Sequence, residues 1–224
     1  MKILLTGATG FVGAEVLEQL VANAAVTQIT CITRREIKNK SPKVKTIIQS
    51  DFLHYDDNLL DELATNDSCI WALGGKASDL GTPEVFEQIT YGFTLALAKG
   101  LAERAQHPFT FCYLSGMGAD QSETAWLPWE KLTRHLKGRT EKNLNNLQDR
   151  YINFCVHSFR PAGILPDKTA KWWHSLLEFM IIRVNVLAKG MIAAATSQSL
   201  FRSQKLITNS EIKKLALRKS ISEV

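Results

Sequence analysis

Lys2-Ile-Leu-Leu-Thr6-Gly7-Ala-Thr9-Gly10-Phe11-Val12-Gly13 opens the chain and decides how the rest is read. Ile3 to Leu5 form a short apolar run of strand type, and three glycines follow at positions 7, 10 and 13. Val12, Val16, Leu17, Leu20 and Val21 then recur at helix-compatible spacing. A strand, a glycine turn and a helix in this order suit a pyrophosphate. Glycine lets the chain turn tightly and bring backbone N–H groups close to a ligand with no Cβ in between. The helix N-terminus behind the turn adds unpaired N–H donors and partial positive charge. Gly7, Thr9, Gly10, Phe11, Val12 and Gly13 are therefore candidate cofactor contacts. A turn that merely joins strand to helix is the plainer alternative.

Working outward, Val26 to Thr33 is β-branched and predicts a second strand, ending at Arg34-Arg35. In dinucleotide folds an acidic residue here binds the ribose 2′-hydroxyl of NAD, whereas arginine accommodates the 2′-phosphate of NADP. No carboxylate stands at 33, 34 or 35, so NADP is favoured over NAD, against the alternative of two solvated loop arginines. Val44 to Gln49 predicts a third strand, and a helix follows around Asn58 to Ala64. Ser68 to Leu73 predicts a fourth strand, with Leu73, Gly74 and Gly75 at its end, where a backbone could approach a cofactor or the glycines could simply end the strand. Pro83 starts a long helix striped with Val85, Phe86, Ile89, Phe93, Leu97 and Leu101. Phe109 to Leu114, a helix over Trp129 to Leu147, and a strand over Tyr151 to Phe159 complete the alternation. Alternating strands and helices with short connections predict an α/β, doubly wound parallel sheet. Such sheets bind ligands beyond the carboxyl ends of their strands, where every feature above falls.

The 224 residues suffice for one α/β domain, and 45% apolar with 22% charged residues are globular proportions. The net charge of +5 is a mild excess, much of it in Arg34 to Lys45 and Lys205 to Lys219. It does not call for a nucleic-acid partner. With the first strand starting at residue 3, a cytoplasmic protein is expected. Cys31, Cys69, Cys112 and Cys155 each fall inside a strand-like run without metal-ligand spacing, so buried thiols and no metal are expected.

The glycine turn, Arg34, Asp51-Phe52, Leu114-Ser115 with Gly118-Ala119-Asp120, Lys137-Gly138-Arg139-Thr140-Glu141 and Arg160-Pro161 together resemble the atypical and extended short-chain dehydrogenases/reductases. The likeness runs along about the whole chain and is strongest to the small atypical NAD(P)-binding, oxidoreductase-like and NAD-dependent epimerase/dehydratase-like proteins, rather than to a sugar epimerase. It implies a Rossmann-type sheet with a small C-terminal, substrate-side helical lobe contributed by residues 161–205. It also implies that Asp51 and Phe52 contact the adenine, that Pro161 borders the cofactor, and that Leu206 to Leu215 forms the terminal helix. A dimer through the two long helices is a family-level expectation.

The active site of that superfamily needs a Ser or Thr after the fifth strand and a Tyr-x-x-x-Lys pair on the next helix. Four residues apart puts phenol and ammonium on one helix face, where the lysine lowers the phenol pKa from ~10. Lys137 fits the lysine, but Thr133 stands where the tyrosine belongs. Thr90 stands where the resemblance places a further asparagine. Ser115 fills the serine position unless a one-residue shift puts Gly116 there; Tyr91 and Tyr113 lack the lysine spacing. The resemblance therefore makes Ser115 and Lys137 the candidate catalytic residues, both also beside the cofactor. Lys137 would hold the nicotinamide ribose, against the alternative of a surface pair with Glu141 at i, i+4.

The expectation is an NADP(H)-binding protein and oxidoreductase acting on a small apolar or aromatic carbonyl or enone. The alternative is a non-catalytic NADP(H) sensor or accessory subunit, favoured by Thr133, with a protein partner met through Trp172 to Ile192. For the tryptophan-rich Trp172 to Ala195 the default is a helical core covering the site, with a substrate lid, a partner surface or an interfacial membrane helix as alternatives. A membrane-surface role, suggested by the basic, tryptophan-rich C-terminal third, is a weaker third reading, and Glu178, Arg183, Asn185 and Lys189 speak against a transmembrane span.

Overall fold

A computed structural model describes residues 1–75, 81–124, 130–167, 180–202 and 204–217. Strands β1 (Lys2–Thr6), β2 (Gln28–Thr33), β3 (Val44–Ile48), β4 (Ser68–Trp71), β5 (Phe109–Leu114), β6 (Phe154–Arg160) and β9 (Leu206–Thr208) form one sheet. Its order is β3-β2-β1-β4-β5-β6-β9, and every neighbouring pair is parallel. The chain runs outward from β1 to β3, then crosses to β4 and continues to the opposite edge. The reversal lies between β1 and β4, where sheets of this kind open a crevice. A second, two-stranded sheet pairs β7 (Gly163–Leu165) with β8 (Ile181–Arg183).

Helices cover both faces. On one side α1 (Phe11–Ala22), α6 (Val184–Ala195) and α7 (Asn209–Leu217) bury Val16, Leu20, Leu187, Met191 and Ile212 against Ile3, Leu5 and Ile29. On the other, α2 (Asp57–Ala64), α4 (Phe93–Arg104) and α5 (Lys131–Arg150) bury Leu60, Leu97, Leu101 and Leu144 against Leu4, Trp71 and Phe111. Ile3 and Leu5 thus enter one core and Leu4 the other. This two-sided burial is why the strands read as continuous apolar runs. All four cysteines are buried free thiols within β2, β4, β5 and β6, and burial raises each thiol pKa.

Several sequence expectations shift. The long helix from Pro83 is α3 (Pro83–Glu87) joined to α4 by a π-helical turn over Gln88–Gly92, a local widening the apolar stripe does not reveal. The strand expected from Tyr151 starts at Phe154, because the Tyr151 N–H still caps α5 on the Leu147 carbonyl. Leu206 to Thr208, expected in the terminal helix, pairs with Ser158 to Arg160 as the seventh strand. Trp129 and Trp172 lie outside the described residues. From Val184 onward the apolar segment is a core helix, as its default reading has it, packed between α1 and α7, with Gly190 so close to Ile212 that a Cβ would lie 2.7 Å from its Cγ2. Among the described residues no helix is long and apolar enough to cross a membrane.

The outer part of the sheet is tied down by side chains. Arg202 spreads one Nη1 over the carbonyls of Gln148, Tyr151, Ile152 and Phe154, at 2.9 to 3.3 Å, where α5 ends and β6 begins. His157 on β6 has no exposure and its Nδ1 lies 2.6 Å from the Gln204 carbonyl, so this nitrogen carries the proton. Burial holds its pKa below the ordinary 6.5. The unfolded chain therefore binds more protons than the native one below that value, and stability is lost as pH falls from 6.5 toward the native pKa. We expect unfolding free energy to drop between pH 6.5 and 5 by at most about 1.4 kcal/mol per pH unit from this group. Urea titrations of wild type and His157→Asn would check it; an equal slope in both would refute the assignment.

Candidate functional site

The carboxyl ends of β1, β2 and β4 lie side by side and carry the glycine turn, Arg34-Arg35 and Gly74-Gly75. Two of the turn's glycines are required by the fold itself. Gly7 has φ +70°, and a Cβ there would sit 2.5 Å from the Ala72 carbonyl oxygen, so β1 and β4 close up at this point. A Cβ on Gly13 would fall 2.0 Å from the Gly7 oxygen, inside the turn. Gly10 differs: it is exposed, and its Cβ would meet only the Gly7 oxygen at 3.3 Å. Packing demands glycine far less here, since only one neighbour would have to give, by a few tenths of an ångström, whereas a close ligand would meet the methyl directly.

Gly10 is also the N-cap of α1, with no side-chain cap and no acidic residue in the first turn. The donors of that turn are left for something other than a side chain. Thr9 and Phe11 are exposed around it, Phe11 at 52%, while Val12 turns into the core. This arrangement fits a pyrophosphate.

At the end of β2, Thr33 shapes the next loop: its hydroxyl donates to the Arg35 carbonyl at 2.5 Å and accepts from the Arg35 N–H at 2.9 Å. The Arg34 and Arg35 side chains are exposed and have no ion-pair partner among the described residues. Beyond β3, Asp51 folds onto its own loop, accepting from Leu53 N–H at 2.8 Å and meeting His54 Nδ1 at 2.7 Å, which lowers its pKa. Phe52 is buried, its ring packed on Phe93 and Tyr55, so a ligand at this point would meet backbone and not the ring. Leu73 is half-buried, and Gly74 has φ +143° with open space around its missing Cβ.

The second half of the site lies past β5 and β6, whose following loops are stitched together by Ser115 N–H to Phe159 O at 2.9 Å and Met117 N–H to Pro161 O at 2.9 Å. Pro161 is buried in that seam. Gly138 on α5 lies against Asp120 with room for no Cβ, which sets the helix hard against the loop. Lys137 is thereby brought to Ser115: its Nζ donates to the Ser115 carbonyl at 2.9 Å. A Cβ on Gly116 would lie 3.7 Å from the same Nζ. Thr133 stands one turn earlier, buried, its hydroxyl donating to Glu130 at 2.8 Å. No phenol replaces the missing tyrosine. Tyr113 is buried in β5, where desolvation raises its pKa, and Tyr91 lies under the Arg139 guanidinium at 4.5 Å.

Glu141 is the residue whose role the sequence hid. It does not form a surface pair with Lys137; its side chain is wholly buried and ion-paired to Arg160. It also accepts from Ser115 Oγ at 2.5 Å and from Gln121 Nε2 at 2.9 Å. Ser115 therefore spends its one hydroxyl proton on Glu141 and offers a ligand only lone pairs. Thr90, at the π-helical turn, is buried beside α5, its carbonyl accepting from Thr94. Among the described residues no cluster has the makings of a metal site.

Residues 3–130 match the NAD dependent epimerase/dehydratase family. The chain belongs to that family. It is of the atypical short-chain dehydrogenase/reductase type. The mitochondrial protein FMP52 of Candida albicans is 31% identical over 125 residues, covering 54% of this chain and 53% of its own length. The chain thus spans about half of that relative. The FMP52 protein of Meyerozyma guilliermondii is 26% identical over 194 residues, 87% of this chain and 77% of its own. Among solved structures, the UDP-N-acetylglucosamine 4-epimerase of Methanobrevibacter ruminantium M1 superposes with TM-score 0.68 at 14% identity, covering 92% of this chain and 75% of that one. Bordetella bronchiseptica WbmF, solved with NAD+, gives 0.67 at 17%, with 96% and 76% covered. At such identities the likeness concerns the fold. The cytoplasmic expectation is overturned, since the FMP52 relatives are named mitochondrial proteins.

Proposed function

We propose that this chain binds a nicotinamide dinucleotide across the β1–β4 crevice, with NADP(H) preferred, and is of oxidoreductase type toward a small carbonyl compound. The observation that carries the reading is the open glycine cradle at Gly10 beside two exposed, unpaired arginines at the end of β2. Gly7, Thr9, Gly10, Phe11, Val12 and Gly13 would surround the pyrophosphate, and Arg34 with Arg35 would meet a 2′-phosphate. Asp51, Phe52, Leu73, Gly74 and Gly75 would border the adenosine and ribose, and Pro161 the nicotinamide side. Lys137 would exchange the Ser115 carbonyl for ribose hydroxyls. Ser115, anchored to Glu141, would accept from or pack against the substrate. When bound, the nicotinamide supplies or takes up hydride. Of the expected 161–205 lobe, α6 belongs to the core between α1 and α7. In this reading the described substrate side therefore narrows to residues 161–167 and 180–183, and 168–179 and 203 lie outside the described residues. The relatives' names favour a mitochondrial setting.

A second reading has its own observation. Thr133 is buried and hydrogen-bonded where a phenol acid would stand, and an aliphatic hydroxyl is too weak an acid to replace one. A protein that binds NADP(H) and passes its presence to a protein partner needs no such acid.

Calorimetric titration with NADPH and NADH tests the first reading. NADPH should bind more tightly, and Arg34→Ala should weaken it about tenfold while leaving NADH within twofold, from loss of charge-assisted hydrogen bonds. Equal affinities that ignore Arg34 would remove the NADP preference. Turnover of a carbonyl panel by wild type, with Thr133→Tyr alongside, separates the two readings; activity in the variant alone favours the second.

A further inference from the structure

The carboxyl ends of β5, β6 and β9 enclose a cleft of about 320 Å³, lined by Met117, Gly118, Arg160, Thr208, Asn209 and Ser210. Its one cationic side chain, Arg160, is held rigidly from behind. Nε donates to Glu141 Oε1 at 2.9 Å and Nη2 pairs with Oε2, while Ser115 and Gln121 fix the carboxylate in turn. That bidentate pair spends one edge of a planar guanidinium. The hydrogens of Nη1 and the second hydrogen of Nη2 have no acceptor among the described residues, and the side chain keeps 22% of its exposure. An arginine fixed in this way presents a second, pre-oriented fork whose geometry matches a planar oxyanion.

The rest of the lining agrees. Ser210 is exposed at the first turn of α7, its hydroxyl 3.2 Å from that of Thr208. The acidic group of that turn, Glu211, is drawn away onto Thr208 N–H and Oγ and onto Gln204 Nε2. The Asn209 amide is used on Ala162 N–H and the Ile181 carbonyl, which anchors the turn without filling the cleft. Met117, half exposed, forms an apolar wall.

We propose that this cleft receives the carboxylate of a small organic acid, with the free edge of Arg160 giving paired hydrogen bonds and Ser210 a third. The inference rests on the reading above in one respect: the carbonyl substrate proposed there is an oxo acid. A bare phosphate is a poorer match, because the cleft holds an apolar body on Met117 as well as the anion.

Saturation-transfer NMR tests it with 4-phenyl-2-oxobutanoate, its ethyl ester and inorganic phosphate, on protein alone and on protein with NADPH. The acid should bind at least about tenfold more tightly than the ester, the margin expected for charge-assisted hydrogen bonds. Ser210→Asp, which sets a like charge in the cleft at an exposed position, should abolish that preference while the circular dichroism spectrum stays unchanged. Equal binding of acid and ester, phosphate binding as tightly as the acid, or a preference that survives Ser210→Asp would each overturn the proposal. An acid preference in a protein that binds no NADPH would uphold the cleft and sink the nucleotide reading. NADPH binding without an acid preference would do the reverse.

Discussion

Gly13→Ala is expected to cost on the order of 3–5 kcal/mol, enough to lower the melting temperature by about 10 °C or more. The added methyl would fall 2.0 Å from the Gly7 oxygen, a backbone atom of a turn already closed by Gly10 N–H to Gly7 O at 2.9 Å. Neither atom belongs to a flexible side chain, so relief means moving α1 off β1, and α1 buries Val16, Leu17 and Leu20 in the core. Gly10→Ala is the informative contrast. Gly10 has φ −86°, which alanine adopts freely, and its Cβ meets only one atom at 3.3 Å. Its stability loss should stay near 1 kcal/mol or less, while the methyl projects into the proposed cradle. Thermal unfolding with parallel NADPH titration distinguishes them: one variant should lose stability, the other the ligand. A Gly10→Ala protein that binds NADPH normally would mean the cradle does not face the pyrophosphate.

Arg160→Leu should destabilise by about 3–5 kcal/mol, because it strands the wholly buried Glu141 carboxylate with two neutral donors, Ser115 and Gln121. The intact pair need not be strongly stabilising in itself, since desolvating two charges consumes most of their attraction. That distinction is measurable. Arg160→Leu with Glu141→Leu should recover most of the loss in urea unfolding, as neither charge then remains buried alone. A double variant as unstable as the single one would assign the loss to packing at β6.

Much of the fold was legible because it rests on local rules. Ile3 to Leu5, Gln28 to Thr33 and Phe109 to Leu114 are apolar or β-branched runs bounded by turns, and each became a strand at or near its expected ends. What escaped depends on partners distant in sequence. Leu206 to Thr208 is a strand because Ser158 to Arg160 lies beside it, while locally it reads as the start of α7. Lys137 and Glu141 have the spacing of a surface pair. Arg160 draws Glu141 inward, and the Ser115 carbonyl takes Lys137. The candidate site was likewise half visible. The glycine turn and the arginines announce themselves by residue type, but the committed hydroxyl of Ser115 and the free edge of Arg160 exist only in three dimensions.

Every pair in the large sheet is parallel, and this bears on how the chain reaches its native state. A parallel pair cannot form as a hairpin; each needs a crossover to be laid down first. The central strand β1 must wait for both β2 and β4, and β6 waits for β9 near the end of the described chain. Such a topology has high contact order, so loop-closure entropy is spent before most contacts can repay it, and folding falls in the slow part of the range. Until residue 208 arrives, the apolar strand β6 presents an open edge, which makes the incomplete chain the form most exposed to aggregation.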